Sequence, residues 1–591
     1  MDIIPCYVIV LCLLSLAKVM LKLYAFWKAS KSYALGGNPQ LIAGYMEKLQ
    51  QGDHSDRRPQ GSARYAYAPS IPPLIVMGED KQKIEETPHG YSIEQGNSSL
   101  VTIDMVWRMA SSGHYVLLAS HPWLKDLCLS FALFKFLTRR FAKTHLAECG
   151  SAKAFSFVLD VLLNNGSADR VFSVIADGVS FVHDSYYSSM PTSYFGRLLP
   201  ILNMALSLSI ITWCLAGGAS ILHRYSHSRH QIYCSPEPDA ESCTFPHGHW
   251  SHGHVRLEFG NIFFFNTVPT LTLFGAVVIA EAWEIVSYLC SNWVKMTMLC
   301  NYMTHESWQQ SPCVQTLLGF LMTLRRIKYC RRSWSDRMGQ RSLLLGAHEQ
   351  QPMPPFFCLS YPKMQYAKVT PQVTAAIADT LRSSNGTLSK GRTAVLHKSR
   401  IGSHLLWACE GRGTSDVILT WHVATGILEL EPRHGGAAAS STSSGRSAVD
   451  KRAVATHLSR YCAYLVADVP ELLPDDRAWS RKLYKTLSRD ITRALAGEPA
   501  EHDDTVAARL AARSEHEVVK GGVRLGRQLM ELIPDEEARW ALLESFWCEI
   551  LLYAAPSDNL KAHKKAIAHV TELLTLVWAL LTHAGIVTRP N

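Results

Sequence analysis

Charge is scarce in this chain. Only 18% of its 591 residues are Asp, Glu, Lys or Arg, against roughly 25% in soluble proteins. The shortage is local: Leu198–Leu222 and Ile262–Ala280 contain no charged residue at all. Other absences exclude chemistry. There is no C-x-x-C among the 15 cysteines, so neither a zinc module nor a regular disulfide framework is indicated. Cys234 and Cys243 are the one pair near each other in a loop. No G-x-S-x-G occurs, and His305-Glu306 and His516-Glu517 lack the second histidine of H-E-x-x-H. The net charge of +9 is spread without a dense basic stripe interleaved with aromatics. That argues against nucleic acid and fits an anionic membrane surface.

The two charge-free runs meet or approach the roughly 20 apolar residues needed to cross a bilayer. A third apolar stretch, Ile3–Trp27, is interrupted by Lys18 and Lys22. Asp2 stands where a signal peptide has basic residues, and no cleavage site follows, so this reads as a membrane helix. Its two lysines are expected to snorkel to a headgroup layer. Lys28 and Lys31 after the first run, and Lys295, Arg325, Arg326, Lys328, Arg331 and Arg332 after the third, put those ends in the cytoplasm. The lipid bilayer is thus the first expected partner, in the plasma membrane or an endomembrane. The sequons at Asn97, Asn165 and Asn385 would face the cytosol unglycosylated.

The expected fold is mainly α. It comprises a first transmembrane helix (1–29), a mixed cytoplasmic region (30–195) and a transmembrane hairpin (196–290) around a loop at 223–260. A basic juxtamembrane linker region (291–369) and a C-terminal helical bundle (370–591) follow. Within 30–195, Leu74–Met77 reads as a strand, and Asp126–Arg140 and Asp169–Tyr187 as helices. The Gly/Ala/Ser tract at 434–447 reads as a flexible linker. Val454, Leu458, Cys462 and Leu465 share one face of a helix over Lys451–Asp468. Helices are expected at Trp479–Leu495, Glu536–Tyr553 and Leu560–His583, the last ending before Gly585. Its apolar segment Leu573–Leu581 reads as a buried bundle helix.

Candidate sites are few. His223, His227, His230, His247, His249, His252 and His254 crowd the external loop. Imidazole is a common transition-metal ligand, but a low-complexity loop rarely fixes a ligand set, so zinc or copper binding there would be adventitious and no cofactor is expected. Glu281 and Glu284 lie at the end of the third run. Carboxylates in a span can mark ion paths; here both can reach the interface beside Trp283 and Trp293. Gly386–Thr393 nearly matches a phosphate loop, with Arg392 in place of the lysine, and reads as a solvated basic loop. In Gly411–Asp416, Ser415 and Asp416 are expected to cap a helix through Leu428 that carries His422. No catalytic constellation emerges.

Several segments resemble a plant membrane-protein family built from domain of unknown function 4220 followed by domain of unknown function 594. The first is carried by Pro72-Pro73-Leu-Ile-Val-Met-Gly78-Glu79, Pro88-His-Gly-Tyr91, Asp126-Leu-Cys-Leu-Ser-Phe-Ala-Leu-Phe134 and Arg170-Val-Phe172. It continues through His183-Asp-Ser-Tyr-Tyr187, Cys290-Ser-Asn-Trp293 and Ser307-Trp-Gln-Gln310. The second is carried by Leu406-Trp-Ala-Cys409, Gly413–His422, Ser459-Arg-Tyr-Cys-Ala-Tyr464, Pro470–Asp476, Ala555-Pro-Ser-Asp-Asn559 and Leu580–Gly585. The resemblance implies a multi-pass membrane protein without an assigned activity. Members usually carry further membrane helices upstream, so this chain is expected to begin near the last of that set. The functional expectation is a membrane-tethered interaction or signalling adaptor whose C-terminal helical domain holds a protein partner. The alternative is a transporter or metal-handling protein using the histidine loop.

Overall fold

A computed structural model describes residues 3–30, 39–55, 72–79, 82, 84–87, 90–93, 100–112, 115–144, 149–163, 167–187, 198–228, 253–323, 336–344, 365–398, 402–430, 448–496, 505–569 and 571–589. The tract 434–447, the pair Cys234 and Cys243, and the sequons at Asn97 and Asn165 lie outside the described residues. The described residues are mainly α, with twenty-two α-helices and six short strands.

The first half runs α1 (Ile3–Ser30), α2 (Pro39–Ser55), β1 (Ile75–Met77), β2 (Ile84–Thr87), β3 (Gly90–Ile93), β4 (Val101–Thr102), α3 (Ile103–Ser111), α4 (Val116–Ser120), α5 (Trp123–Phe141), α6 (Ala152–Phe157) and α7 (Ala168–Tyr187). A π-helical turn, Val158–Leu163, prolongs α6. Then come α8 (Leu198–Ser228), α9 (Gly253–Cys290), α10 (Asn292–Thr304), α11 (Glu306–Gln310), α12 (Pro312–Thr323) and β5 (Arg337–Gln340). The second half holds β6 (Gln365–Lys368), α13 (Pro371–Ser383), α14 (Arg392–Lys398), α15 (Thr414–Leu430), α16 (Ala448–Asp468), α17 (Arg477–Leu495), α18 (Val506–Arg513), α19 (Glu517–Leu532), α20 (Glu536–Ala554), α21 (Leu560–His569) and α22 (Leu573–His583). The strands pair antiparallel as β1–β4, β2–β3 and β5–β6, with Ile84 opposite Ile93 and Met338 opposite Ala367.

Three helices are long and apolar enough to cross a membrane: Pro5–Lys28 of α1, Leu198–His223 of α8 and Thr267–Cys290 of α9. Apart from them, a large contiguous apolar core runs from Leu74 to Ala584, beside a small cluster of Leu41, Tyr45 and Ile75. Within the stretch read as a basic juxtamembrane linker, residues 292–323 form three helices, and α10 is built into the core. Trp293 is fully buried, edge-on to Phe131, Phe134 and Phe181 at 5.3, 5.6 and 5.3 Å. Its Nε1–H donates to Asp184 at 3.3 Å. The start of α10, directly after α9, is therefore plugged into an aromatic socket formed by α5 and α7.

The C-terminal helices close on the same pair. Phe141 packs on Trp578 at 5.5 Å and Phe136 meets His583 edge-on at 6.4 Å. Arg140 pairs with Asp558 at 2.7 Å. The Gly150 amide donates to the Gly585 carbonyl at 2.9 Å, and Thr374 donates to Asp169 at 2.6 Å.

The stretch expected as one helix over Leu560–His583 is two. Half-buried Glu572 takes extended backbone before α22. Its carboxylate accepts from Tyr464 at 3.0 Å and Tyr461 at 3.3 Å, while the Tyr461 oxygen accepts the Leu574 amide at 2.9 Å. This cluster from α16 fixes the break and the start of α22 together. The far end closes as expected: Gly585 has φ +76°, its amide bonds to Thr582 and that of Ile586 to Leu581. That double bond pattern is a Schellman motif, and a left-handed residue is needed at this position. With eleven residues and all of them buried, α22 is a bundle helix.

Three histidines are sealed in this core. His422 accepts the Leu343 amide at Nε2 (3.2 Å), leaving Nδ1–H for Ser459 at 2.9 Å, so the ring must be neutral. Burial holds its pKa down at about 4. Burial likewise holds His563, stacked on Trp578 at 4.4 Å, and His583 down at about 3. The unfolded chain binds these protons near the ordinary value of 6.5, so stability is fully present above that pH and is lost as pH falls below it. The slope is about 1.4 kcal/mol per pH unit for each histidine. Between pH about 6.5 and about 5, where carboxylates stay ionised, thermal unfolding of the detergent-solubilised chain should shift steadily downward. His422→Gln should flatten part of that slope. A flat profile over this window would contradict the neutral buried state.

Candidate functional site

A polar cluster with four charged side chains lies inside the spans. Tyr7 OH bonds Ser220 Oγ at 3.1 Å, Trp213 Nε1–H donates to the Tyr7 carbonyl at 3.1 Å, and Lys18 Nζ donates to Ser207 at 2.8 Å. Low numbers of α1 thus face high numbers of α8, an antiparallel pair. Lys18 also pairs with Glu281 and, at 3.0 Å, with Glu284; Lys22 pairs with Glu284 at 2.9 Å. Those ladders make α1 and α9 parallel, so the three spans run up, down, up.

Depth follows from helical rise. Lys18 lies ten residues before Lys28 and Glu281 nine before Cys290, or about 15 Å at 1.5 Å per residue. That is near the middle of a hydrocarbon core of about 30 Å. One layer holds Lys18, Glu281 and Ser207; the next, a turn toward the Lys28 end, holds Lys22 and Glu284. Asn203, one turn from Ser207 on α8, is buried with its Oδ1 unbonded. Toward the Tyr7 end the contacts turn apolar: Leu11, Ile210, Cys214, Ile221 and Phe274 are buried together. A Cβ on Gly217 would stand 2.8 Å from Phe274 and 2.9 Å from Tyr7, so glycine permits the close approach of all three helices.

Sequence reasoning placed Glu281 and Glu284 at the interface and let Lys18 snorkel. The structure brings all three together, and Lys18 is only 5% exposed. The missed signal was available: two lysines four apart in one apolar run and two glutamates three apart in another can pair on facing helices.

The histidine set is not drawn together by described geometry. His223 is exposed at the end of its span; His227 and His254 lie in α8 and α9, where only the backbone is described. His230, His247, His249 and His252 lie outside the described residues. Among the described residues no group of three or more His, Cys, Asp or Glu side chains could hold a metal ion.

The two nucleotide-loop lookalikes are internal joints. At Gly386–Thr393, the position a phosphate would take at the start of α14 is occupied by Glu549 of α20. Its carboxylate accepts the Ala394 amide at 2.7 Å and the Ser389 hydroxyl. The segment read as a solvated loop before no helix therefore opens one. At Gly411–Asp416 the start of α15 is held by Asp475, accepting the Thr414 amide at 3.0 Å and the Ser415 amide at 2.5 Å. Asp416 turns back to the Arg412 amide at 3.1 Å. A third case is Asp490 of α17, which receives the amides of Glu515 and His516 and the Ser514 hydroxyl before α19. Burial opposes its charge, but these bonds and Arg493 outweigh that and hold its carboxyl down at about 2.

Three apolar spans joined by buried charge, carrying a large helical body, define an α-helical membrane protein. The chain belongs to the family described as Domain of unknown function (DUF4220), which matches residues 3–345, more than half of its length. Residues 533–586 match Protein of unknown function, DUF594. No curated protein and no solved structure matches the chain. The two matched segments touch: α21 and α22 of the second pack on α5 and α7 of the first.

Breaking one partner of a buried ion pair costs about 3–5 kcal/mol, because the other charge is stranded. Glu281→Gln should therefore lower the thermal stability of the detergent-purified chain sharply. Adding Lys18→Met should recover most of the loss. Equal, additive losses in the double variant would show that the two groups act independently.

Proposed function

We propose that the protein is a membrane-tethered interaction or signalling adaptor acting through its helical C-terminal part. The observation that carries this reading is the self-satisfaction of charge in the spans. Lys18 and Lys22 neutralise Glu281 and Glu284, and an apolar layer closes the bundle toward the Tyr7 end. Such a bundle suits an anchor better than an ion path, since a translocated ion needs charge that is free to receive it. The remaining mass is a helical body with one continuous core, a suitable platform for a protein partner.

The full chain is the proper bait, because a fragment from residue 370 onward would bare the faces of α13, α21 and α22 that cover α7. In-cell crosslinking of the tagged full chain should recover a reproducible protein partner through residues of the C-terminal half. Failure to recover any partner reproducibly would count against the adaptor reading. In the competing reading the histidine loop handles metal. Calorimetry of the nanodisc-embedded chain should then give zinc or copper binding of defined stoichiometry; weak heat without stoichiometry is the outcome expected for an adaptor.

A further inference from the structure

We propose that the groove between α18 and α19 is a docking surface for an acidic segment of a partner protein. This rests on the adaptor reading and names its partner's chemistry. The groove encloses about 310 Å³ and is lined by Ala511, Lys520, Val523, Arg524, Arg527, Gln528 and Glu531. Lys520, Arg524 and Arg527 are exposed and stand at helical spacings of four and three, one stripe along α19. From Lys520 to Glu531 the stripe spans about 16 Å.

The stripe is pre-ordered from below. The Arg524 guanidinium lies 4.7 Å over the Trp407 ring, and Trp407 Nε1–H donates to Gln528 Oε1 at 3.0 Å. One indole thus holds two lining side chains in place, which reduces the ordering cost of binding. Arginine forks match carboxylates bidentately. Lys520 has only a loose contact with Glu517 at 3.6 Å, and Glu531 closes one end of the stripe with the opposite sign. An acidic segment would therefore lie with its carboxylates toward Lys520, Arg524 and Arg527. Between the cations Ala511 offers exposed apolar surface, while Val523 forms the buried floor of the groove.

A bilayer surface fits less well. The spans join the body at α10, which packs on α5, whereas α19 packs on α15, α17 and α18. A concave groove with three cations along one wall suits a chain segment better than a plane of headgroups.

The test uses the full chain in nanodiscs of zwitterionic lipid. The probes are a labelled peptide alternating glutamate with leucine, its lysine counterpart, and phosphatidylserine vesicles. The glutamate peptide should bind in a salt-sensitive way and the lysine peptide should not. The double variant Arg524→Gln, Arg527→Gln should weaken peptide binding at least about tenfold. Both side chains are exposed, so thermal unfolding should fall only slightly, by the lost stacking of Arg524 on Trp407, and serves as the folding control. Equal peptide affinity for both proteins would overturn the proposal. So would vesicle binding lost in the variant while peptide binding persists. If the variant still crosslinks the same cellular partner, the groove assignment fails while the adaptor reading stands.

Discussion

The structure depends on one constraint: a charge or a helix end removed from water must meet its complement inside the protein. Desolvating an ion costs several kcal/mol even after relaxation, and the first turn of every helix presents unsatisfied amides. In the spans the answer is Lys18 against Glu281, Glu284 and Ser207. In the core beside them it is Lys135 against Glu79, both almost fully buried. In the C-terminal half the same rule governs helix starts. Glu549, Asp475 and Asp490 each reach from one element to the amides that open another. These are caps from distant parts of the chain, so each also fixes the position of one helix relative to another.

That pattern explains how two sequences that look like nucleotide loops come to serve as internal joints. Both have glycines and a following helix, the parts that make an anion site. A helix start attracts negative charge whatever its source, and here the source is a carboxylate of the same chain. Displacing Glu549 would strand a buried carboxylate and the Ala394 amide together, with Ser389 losing its acceptor. The two segments are better understood as hinges turned into fasteners.

What was legible in the sequence was whatever depends on period and composition. The three spans, α5, α7, α16, α17 and α20 follow from apolar spacing; most observed ends lie within a few residues of expectation, but α9 runs about ten residues past Ala280, which puts Glu281 and Glu284 inside the span. What was not legible depends on pairs far apart in the chain. The extended backbone at Glu572, which separates α22 from α21, needs Tyr461 and Tyr464, more than a hundred positions earlier. The cap on α15 was expected from Ser415 and Asp416 and comes from Asp475. Lys18 was read by itself as a snorkelling residue, because its partner lies 263 positions away. Helical character in 292–323 was hidden by the cationic cluster downstream of it, and the core role of Trp293 by its position beside a span, where a belt residue was the natural reading.

The spans and the body are not separable parts with a string between them. Sliding α1 by one residue along α9 would turn Lys18 by about 100° away from Glu281, so the ion cluster fixes register and rotation together. From that cluster α9 runs to Cys290, and three residues later Trp293 enters the socket of Phe131, Phe134 and Phe181. The helices that form the socket, α5 and α7, are the ones that receive α21 and α22. A contiguous packed path therefore leads from the charge cluster to the C-terminal segment. It accounts for why residues 3–345 and 533–586 fold as one body: the second supplies the helices that cover the outer faces of α5 and α7, and the first supplies the frame that holds them at the membrane.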